Sequence, residues 1–561
     1  MVRTRKRLSL ACDACRARRI KCDGQKPSCA PCRIRGVDCS YQAPPESPPS
    51  KVEAELVSVN LRLDYITMLL AKQSNPHQEL AQQGTSCALG SHEDSPFRLL
   101  ATSSIMEILG LEEDYARGLI RLERTNLLVG PPTGPPGLFF GSHQQVTNAL
   151  AAFSERVHAY FSVLPLDFSE AYFHALSGPL TPSCQSCLVL LVAAIGCVAH
   201  DAATQNPYFD AALASLPLVL AECSLASIQC LIFLSIYYCC RLRPCQAHDY
   251  CLIASFKIQN LFKSGSQSSD QDALELTYRA YWAILLLERQ VPSELSVQLD
   301  VAKSDIWRLD EYIPLPNCRH TWHFPLAQSP TSPATVSPAS IHSTDSTTAD
   351  QAQSFFLAEI AMRRMLHRCN SAVTQGVDGQ SRYAPSIALE LERQLDEWYG
   401  YLPGNIRFTK DEDRPHAPTQ AEQICSLSNF LSVQYYCCRL SIYWPAVYQA
   451  MQDESASAQL LSHCQRFIDS YVFLLPRLRL AIHDCLIYRW TLSLTFFITT
   501  MAVLKVVDTP CLGAANLDGL RQCLSSIGGV SWDGVDGSPS LTVLQYTLNQ
   551  RLERFSPPAA T

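Results

Sequence analysis

Residues 12–39 read CDACRARRIKCDGQKPSCAPCRIRGVDC, and this stretch decides the fold of the N-terminus. The cysteine spacing is C-x2-C-x6-C-x6-C-x2-C-x6-C, which is two copies of C-x2-C-x6-C joined by six residues. Two cysteines two residues apart in a helical turn can chelate one ion, and zinc prefers soft thiolates in a tetrahedral array. The spacing therefore predicts a zinc site. The predicted ligands are Cys12, Cys15, Cys22, Cys29, Cys32 and Cys39.

The same stretch is too poor in apolar side chains to fold on a hydrophobic core. Beyond alanine and cysteine it holds Ile20, Ile34 and Val37, and a segment this short needs another source of stability. Two tetrahedral zinc ions need eight ligand positions, which six thiolates fill if two of them bridge the ions. Each structural zinc supplies on the order of 10 kcal/mol of apparent binding energy at neutral pH. We therefore expect a small domain held together by two zinc ions.

The charge of the chain is distributed unevenly. Residues 1–41 contain eleven Lys or Arg and three Asp, so this segment carries +8. Because the whole chain of 561 residues carries −7, the remaining residues carry −15. A small basic segment on a large acidic chain is typical of a nucleic-acid-binding module attached to another domain. Double-stranded DNA is therefore the predicted partner of the N-terminus.

Two other interpretations of the cysteine segment are weaker. Three disulfides would suit a small secreted protein, but the chain begins MVRTRKR without an apolar signal segment behind it. A metal-binding module that does not contact DNA leaves the charge of +8 unexplained. The basic arm at residues 3–7 indicates a nuclear import signal, added phosphate contact, or both.

The segment resembles the fungal binuclear zinc cluster family, the six-cysteine DNA-binding domain of the galactose-regulator type. The match covers residues 11–40 and extends beyond the cysteines to Asp13, Arg16, the basic run at 18–21 and Pro27. The resemblance implies a pseudo-twofold pair of short helices, the first of which presents its C-terminal end to the major groove of DNA.

The resemblance also assigns the ligands to the two ions. It implies that Cys12 and Cys29 bridge the ions. Cys15 and Cys22 would complete the coordination of one ion, and the second ion would be completed by Cys32 and Cys39.

The basic residues of the segment are the candidate DNA contacts. Arg19 stands where the family usually has a base-contacting lysine, and Arg18 and Lys21 lie beside it. Arginine bonds guanine O6 and N7 in a bidentate manner, although its side chain is longer and planar. The resemblance therefore implies a half-site of the CGG type. The candidates for phosphate contact are Arg16, Lys26, Arg33 and Arg35.

Residues 51–73, which follow the proline-rich spacer QAPPESPPS at 42–50, have a heptad pattern. Apolar positions spaced 4-3-4-3-4 predict a coiled coil of about three heptads. The alternative is an amphipathic helix that packs on the large domain. The family resemblance implies the coiled coil, and with it a homodimer that reads two half-sites. The predicted seam residues are Val52, Leu56, Val59, Leu63, Ile66 and Leu70.

The rest of the chain has helical periodicity, with apolar residues every three or four positions on one face. Residues 148–315 resemble the fungal-specific transcription factor domain, on stretches such as ALAAFSERVHAYFSVLPLDFSEAYF at 149–173 and RAYWAILLLER at 279–289. The resemblance implies a helical regulatory body that has the transcription machinery as a partner and an unidentified small molecule as a candidate effector. The predicted core faces contain Phe355, Ala358, Met362, Met365 and Cys369, and Ile387, Leu391, Leu395 and Trp398.

We therefore predict a mostly α chain with a small metal-stabilised zinc cluster domain, a short coiled coil and a large all-helical regulatory body. The predicted segments are 1–41 zinc cluster domain with basic arm, 42–50 linker, 51–73 coiled-coil helix, 74–96 polar linker, 97–320 regulatory domain, 321–352 Ser/Thr/Pro-rich linker, 353–510 continuation of the regulatory body and 511–561 less ordered tail.

The predicted function is a nuclear, zinc-dependent, sequence-specific regulator of RNA polymerase II promoters. Family analogy adds a pathway-specific role, such as control of a secondary-metabolite gene cluster. The body has no G-x-S-x-G, P-loop or G-x-G-x-x-G motif, so we expect no enzyme activity. No membrane span is predicted, because the apolar runs 225–240 and 490–504 fall short of about 20 residues. A helical sensor of partners or effectors, and an enzyme fused to a DNA-binding head, are the alternatives.

Overall fold

The computed structural model divides the chain into two compact units, Met1–Met68 and Leu69–Thr561, which we call the head and the body. The described residues of the head are 12–23 and 28–39, so the basic arm, Lys26 and the predicted coiled coil lie outside them. The described residues of the body are 103–112, 114–125, 142–178, 181–200, 206–264, 270–293, 304–317, 321–324, 339–369, 373–375, 381–410, 425–454, 456–527 and 537–555.

The prediction of a mostly α chain is confirmed. The head contains α1 (Asp13–Ala17) and α2 (Ala30–Arg35). The helices of the body are α3 (Ser103–Ile108), α4 (Tyr115–Thr125), α5 (His143–Phe153), α6 (Phe168–Ser177), α7 (Cys184–His200), α8 (Pro207–Leu213), α9 (Leu216–Ala221), α10 (Leu225–Cys240), α11 (Pro244–Lys263), α12 (Gln271–Ser293), α13 (Ala339–Cys369), α14 (Pro385–Tyr401), α15 (Ser426–Gln452), α16 (Ala458–Asp484), α17 (Arg489–Val507), α18 (Asp518–Ile527) and α19 (Pro539–Leu552).

The core of the body is built around helices that are buried on nearly all sides. In α7, α10, α15 and α17 almost every side chain is buried, as expected for helices that are apolar all round. The helix α15 packs along α16, and α10 packs against α7 and α11. The predicted core residues Phe355, Ala358, Met362 and Met365 are buried, as are Leu391, Leu395 and Trp398. The body therefore has an extensive hydrophobic core.

One close helix contact requires a glycine. A Cβ atom added at Gly196 in α7 would lie 2.0 Å from the carbonyl oxygen of Ala149 in α5. No larger residue fits there without moving the backbone of one helix. Gly196 thus lets two core helices approach each other closely.

The structure differs from the predicted segments in three places. A two-stranded antiparallel sheet, β1 (Val373–Gln375) and β2 (Ser381–Tyr383), interrupts the helices, with Thr374 opposite Arg382. The helix α13 begins inside the segment predicted as a linker. The C-terminal segment was predicted to be less ordered, but it contains α18 and α19. Leucines such as Leu544 recur at helical spacing in this segment and are buried in the body.

The helix α17 is longer than the apolar run on which the membrane prediction rests. By length and composition it could cross a membrane, and 89% of its most apolar window is buried inside the body. In the structure α17 is packed as a core helix.

Candidate metal centre

The two halves of the head have the same local backbone. Cys15 lies in α1 and Cys32 lies in α2, and each carbonyl accepts a hydrogen bond from the residue five positions later. The N–H of Ile20 donates to Cys15 O at 3.1 Å, and the N–H of Val37 donates to Cys32 O at 3.2 Å. This 6→1 hydrogen bond is the Schellman motif that ends many helices. Both helices therefore end in the same turn.

The turn requires a left-handed residue in each half. Gly36 has φ +62°, and Arg19 occupies the equivalent position with φ +53°. Glycine adopts this conformation readily, whereas other L-residues adopt it at a cost. At this left-handed position the first half therefore carries the side chain of Arg19, whereas the second half has Gly36, which has no side chain.

Four thiols of the head lie close together. The Sγ of Cys12 lies 3.6 Å from the Sγ atoms of both Cys29 and Cys32, and the Sγ of Cys15 lies 3.6 Å from Cys29 and 3.9 Å from Cys32. A zinc–sulfur bond of about 2.3 Å in a tetrahedron gives a sulfur–sulfur separation of about 3.8 Å. These separations are those between zinc-bound thiolates, so the donor set fits the ion. The group contains both Cys15 and Cys32, and it therefore differs from the ligand sets that the family resemblance implies, which place these two thiols on different ions.

The other two predicted ligands lie beside this group. Cys22, Asp23 and Cys29 form a second group whose potential ligand atoms lie within 4.8 Å of one another. The backbone N–H of Cys29 donates to the Sγ of Cys39 at 3.3 Å. Cys39 also packs against the buried cysteines. Cys29 is thus the thiol that belongs to both groups of potential ligands in the described part of the chain.

Sulfur atoms form the centre of the head. Its buried cluster consists of cysteines, with Ile20 and Val37 partly buried against it. Ile34 is 84% exposed and does not contribute to this cluster. The described part of the head therefore lacks a conventional apolar core, in agreement with the sequence argument.

Two of the thiols, those of Cys15 and Cys29, keep their protons at neutral pH when no metal is bound. Burial raises the pKa of Cys15 and of Cys29 to about 12. A thiolate is the species that binds zinc, so metal binding must displace protons from these groups.

The candidate DNA contacts are distributed unequally between the halves. Arg18, Arg19 and Lys21 are exposed after α1, and Arg33 and Arg35 are exposed on α2. Arg16 lies within α1. The position equivalent to Lys21 in the second half is Asp38, which is also exposed. The first half therefore carries the more basic surface.

One residue of the candidate metal centre was not predicted from the sequence. Asp23 accepts a hydrogen bond from the backbone of α2 and lies among potential metal ligands. Its position directly after Cys22 was a signal for this role, because an adjacent carboxylate lies within reach of the same site.

The chain matches two family models and a relative that covers nearly all of it. Residues 10–48 match the model described as "Fungal Zn(2)-Cys(6) binuclear cluster domain", and residues 150–400 match the "Fungal specific transcription factor domain". A protein of Aspergillus rugulosus with the name "Putative transcription factor ecdB" is 59% identical over 569 residues, which cover 98% of this chain and 99% of that protein. No solved structure matches the chain significantly.

Proposed function

Because the chain belongs to the family of fungal transcription factors with a Zn(2)-Cys(6) binuclear cluster, we propose that it is a zinc-dependent, sequence-specific regulator of RNA polymerase II promoters. DNA binding and transcription regulation follow from the family, and the expectation that the chain is not an enzyme is confirmed by it. The proposed site of action is the nucleus, and the basic arm at residues 3–7 would support import.

We propose that the head binds two zinc ions through its six cysteines. Cys12 and Cys29 would be shared between the ions, as the family resemblance implies, and each of these two thiols lies 3.6 Å from two other thiols of the group. The proximity of Cys29 to Cys22 as well as to the other three thiols supports the shared role of Cys29. Zinc supplies a cross-link between the two halves when it is bound. The remaining assignments stay as the resemblance implies, with Cys15 and Cys22 on one ion, and Cys32 and Cys39 on the other.

The basic surface of the first half is the proposed base-reading element. The Schellman turn after α1 holds Arg19 in the left-handed conformation, next to the exposed Arg18 and Lys21. A guanidinium at this place can bond guanine O6 and N7, which supports a CGG-type half-site. The residues proposed to contact phosphates are Arg16, Lys26, Arg33 and Arg35.

The proposed active form is a homodimer. Residues 51–73 carry the heptad seam from Val52 to Leu70, which lies outside the described residues. This seam, together with the spacer before it, favours a dimer in which two chains form one coiled coil and each chain contributes one head. We also propose that the target genes share one metabolic pathway, such as a secondary-metabolite gene cluster, on the strength of the family resemblance.

Fluorescence anisotropy of the full chain tests the proposal. With zinc bound, we expect tighter binding to a duplex with CGG half-sites than to a scrambled duplex of the same length. Chelation should abolish this difference, because the head loses the cross-link that positions Arg19. Equal affinity for both duplexes in the zinc-loaded protein would contradict base reading, and a chain that purifies without zinc would contradict the metal centre.

Promoter occupancy tests the proposed pathway. Genome-wide mapping of bound promoters should find them next to genes of one pathway. Binding sites scattered among unrelated genes would contradict this part of the proposal.

A further inference from the structure

The first residue of α2 is held by a carboxylate from outside the helix. The backbone N–H of Ala30 donates to both carboxylate oxygens of Asp23, at 3.2 Å to Oδ1 and 3.1 Å to Oδ2. Asp23 directly follows Cys22, and Ala30 directly follows Cys29. The interaction therefore links the residues next to two predicted zinc ligands that lie in different halves of the head.

The other backbone groups in the first turn of α2 explain why this acceptor is needed. Cys29 at the N-cap makes no side-chain hydrogen bond to the helix, and Pro31 has no N–H to donate. The N–H of Cys32 donates to the carbonyl of Cys29 at 3.1 Å. The N–H of Ala30 is thus the remaining donor of this turn, and such a donor needs a side chain or water. Asp23 supplies the acceptor that the N-cap residue does not.

The two halves of the head differ at this point. The first residue of α1 is Asp13, directly after Cys12, whereas α2 has Ala30 at the equivalent position and no acid in its first turn. Negative charge near a helix N-terminus interacts favourably with the helix dipole. Asp23 therefore places a negative charge at the start of α2 from outside that helix, whereas the acid at the start of α1 is a residue of the helix itself.

We infer that Asp23 is a positioning residue of the zinc cluster. By accepting the N–H of Ala30, it holds Cys29 beside Cys22, with potential ligand atoms within 4.8 Å of one another, so that both thiolates can bind the same ion. The inference rests on the proposed function, which assigns Cys22 and Cys29 to one ion. Groups that orient metal ligands in this way typically contribute about 10–100-fold to metal affinity.

Chelator competition on the zinc-loaded full chain tests this role. Asp23→Ala should lower the affinity of the head for zinc by about 10–100-fold. Asp23→Asn should restore most of the affinity, because asparagine is as good an acceptor as aspartate at helix N-termini. Asp38→Ala is the matched control: it removes the same charge next to Cys39, away from the first turn of α2, and should keep zinc as tightly as the wild type.

Cobalt absorption spectra separate positioning from direct ligation, because Asp23 lies among potential ligand atoms. We expect the spectrum of cobalt bound to the wild type to be unchanged in Asp23→Asn. A changed spectrum would make Asp23 a metal ligand and overturn the positioning role.

Two further outcomes would also overturn the inference. One is an Asp23→Ala variant that holds zinc as well as Asp38→Ala does, and the other is an Asp23→Asn variant that is as weak as Asp23→Ala. In both cases a wild type that binds zinc and CGG-containing DNA leaves the proposed function intact. A wild type that holds no zinc would contradict the proposed function instead.

Discussion

The head and the body obtain their stability from different sources. In the head, cysteines form the buried cluster and the aliphatic Ile34 is 84% exposed. In the body, large side chains such as Trp282 and Trp444 are fully buried among apolar helices. Burial of apolar area stabilises the body, whereas metal binding must supply the folding energy of the head. One chain therefore combines a unit whose folding depends on an ion with a unit whose folding depends on apolar burial.

Removal of zinc should give the largest effect and should separate the two units. Because zinc binding supplies on the order of 10 kcal/mol per ion, a strong chelator should unfold the head and leave the body folded. Hydrogen exchange of the full chain measures this directly. Amides of residues 28–39 should lose protection, and those of α10 and α15 should keep it. Protection of the head in the stripped protein would remove the distinction between the two units.

Loss of a buried charge partner should give the next largest effect. It should lower the free energy of unfolding of the body and leave the head unchanged. Arg363 Nε lies 2.7 Å from Glu359 Oε1, with side chains 3% and 0% exposed. Arg363→Ala would leave the Glu359 carboxylate buried without its cation, at a cost of about 3–5 kcal/mol in the free energy of unfolding. Urea unfolding of the body measures this cost, and zinc content should not change.

An exposed ion pair provides the control for that variant. Arg393 pairs with Glu390 and Glu397 at the surface, and its side chain is 49% exposed. Arg393→Ala should cost less than about 1 kcal/mol. If the two arginine variants lose equal stability, burial does not set the strength of ion pairs in the body.

Removal of the base-reading side chain should have an intermediate effect, confined to DNA binding. Arg19→Gly removes the guanidinium and also suits the left-handed backbone, so the turn after α1 should persist. Affinity for CGG-containing DNA should fall by about 1–3 kcal/mol, with a smaller loss for scrambled DNA. Anisotropy titrations measure both affinities.

Arg35→Ala is the comparison for a phosphate contact. It should weaken binding to both duplexes by the same factor, because phosphates carry no sequence information. If Arg19→Gly lowers the affinity for both duplexes by the same factor, then Arg19, like Arg35, contacts phosphate and does not read bases.

In the head, the smallest effect should come from the equivalent turn in the second half. An added Cβ at Gly36 meets no atom within 4 Å, so Gly36→Ala introduces backbone strain without a steric clash. The left-handed conformation costs a non-glycine residue about 1–2 kcal/mol, which should appear as weaker zinc retention in chelator competition. Arg19→Gly should retain zinc at least as well as the wild type. Unchanged retention in Gly36→Ala would show that the turn is not coupled to the metal centre.

Much of the structure followed from local patterns. The helices around Phe355 and Leu395 were predicted because apolar periodicity is a property of neighbouring residues, and their burial is confirmed. The helices of the C-terminal segment were not predicted, because its glycine, serine and proline residues indicate a less ordered segment. Burial of Leu544, and of Glu123 against Ser540 at the start of α19, depends on helices far away in sequence.

The six thiols of the metal centre and the basic charge around them could be predicted without a structure, because all of these residues lie within a stretch of 28 residues. Tertiary structure alone decided that Asp23 holds the start of α2 and that Gly196 must be a glycine. The kinds and spacing of ligands can be recognised along the chain before it folds, whereas a hydrogen bond from a helix N–H to a carboxylate outside the helix, or a close contact between two helices, exists only once the backbone has taken its path.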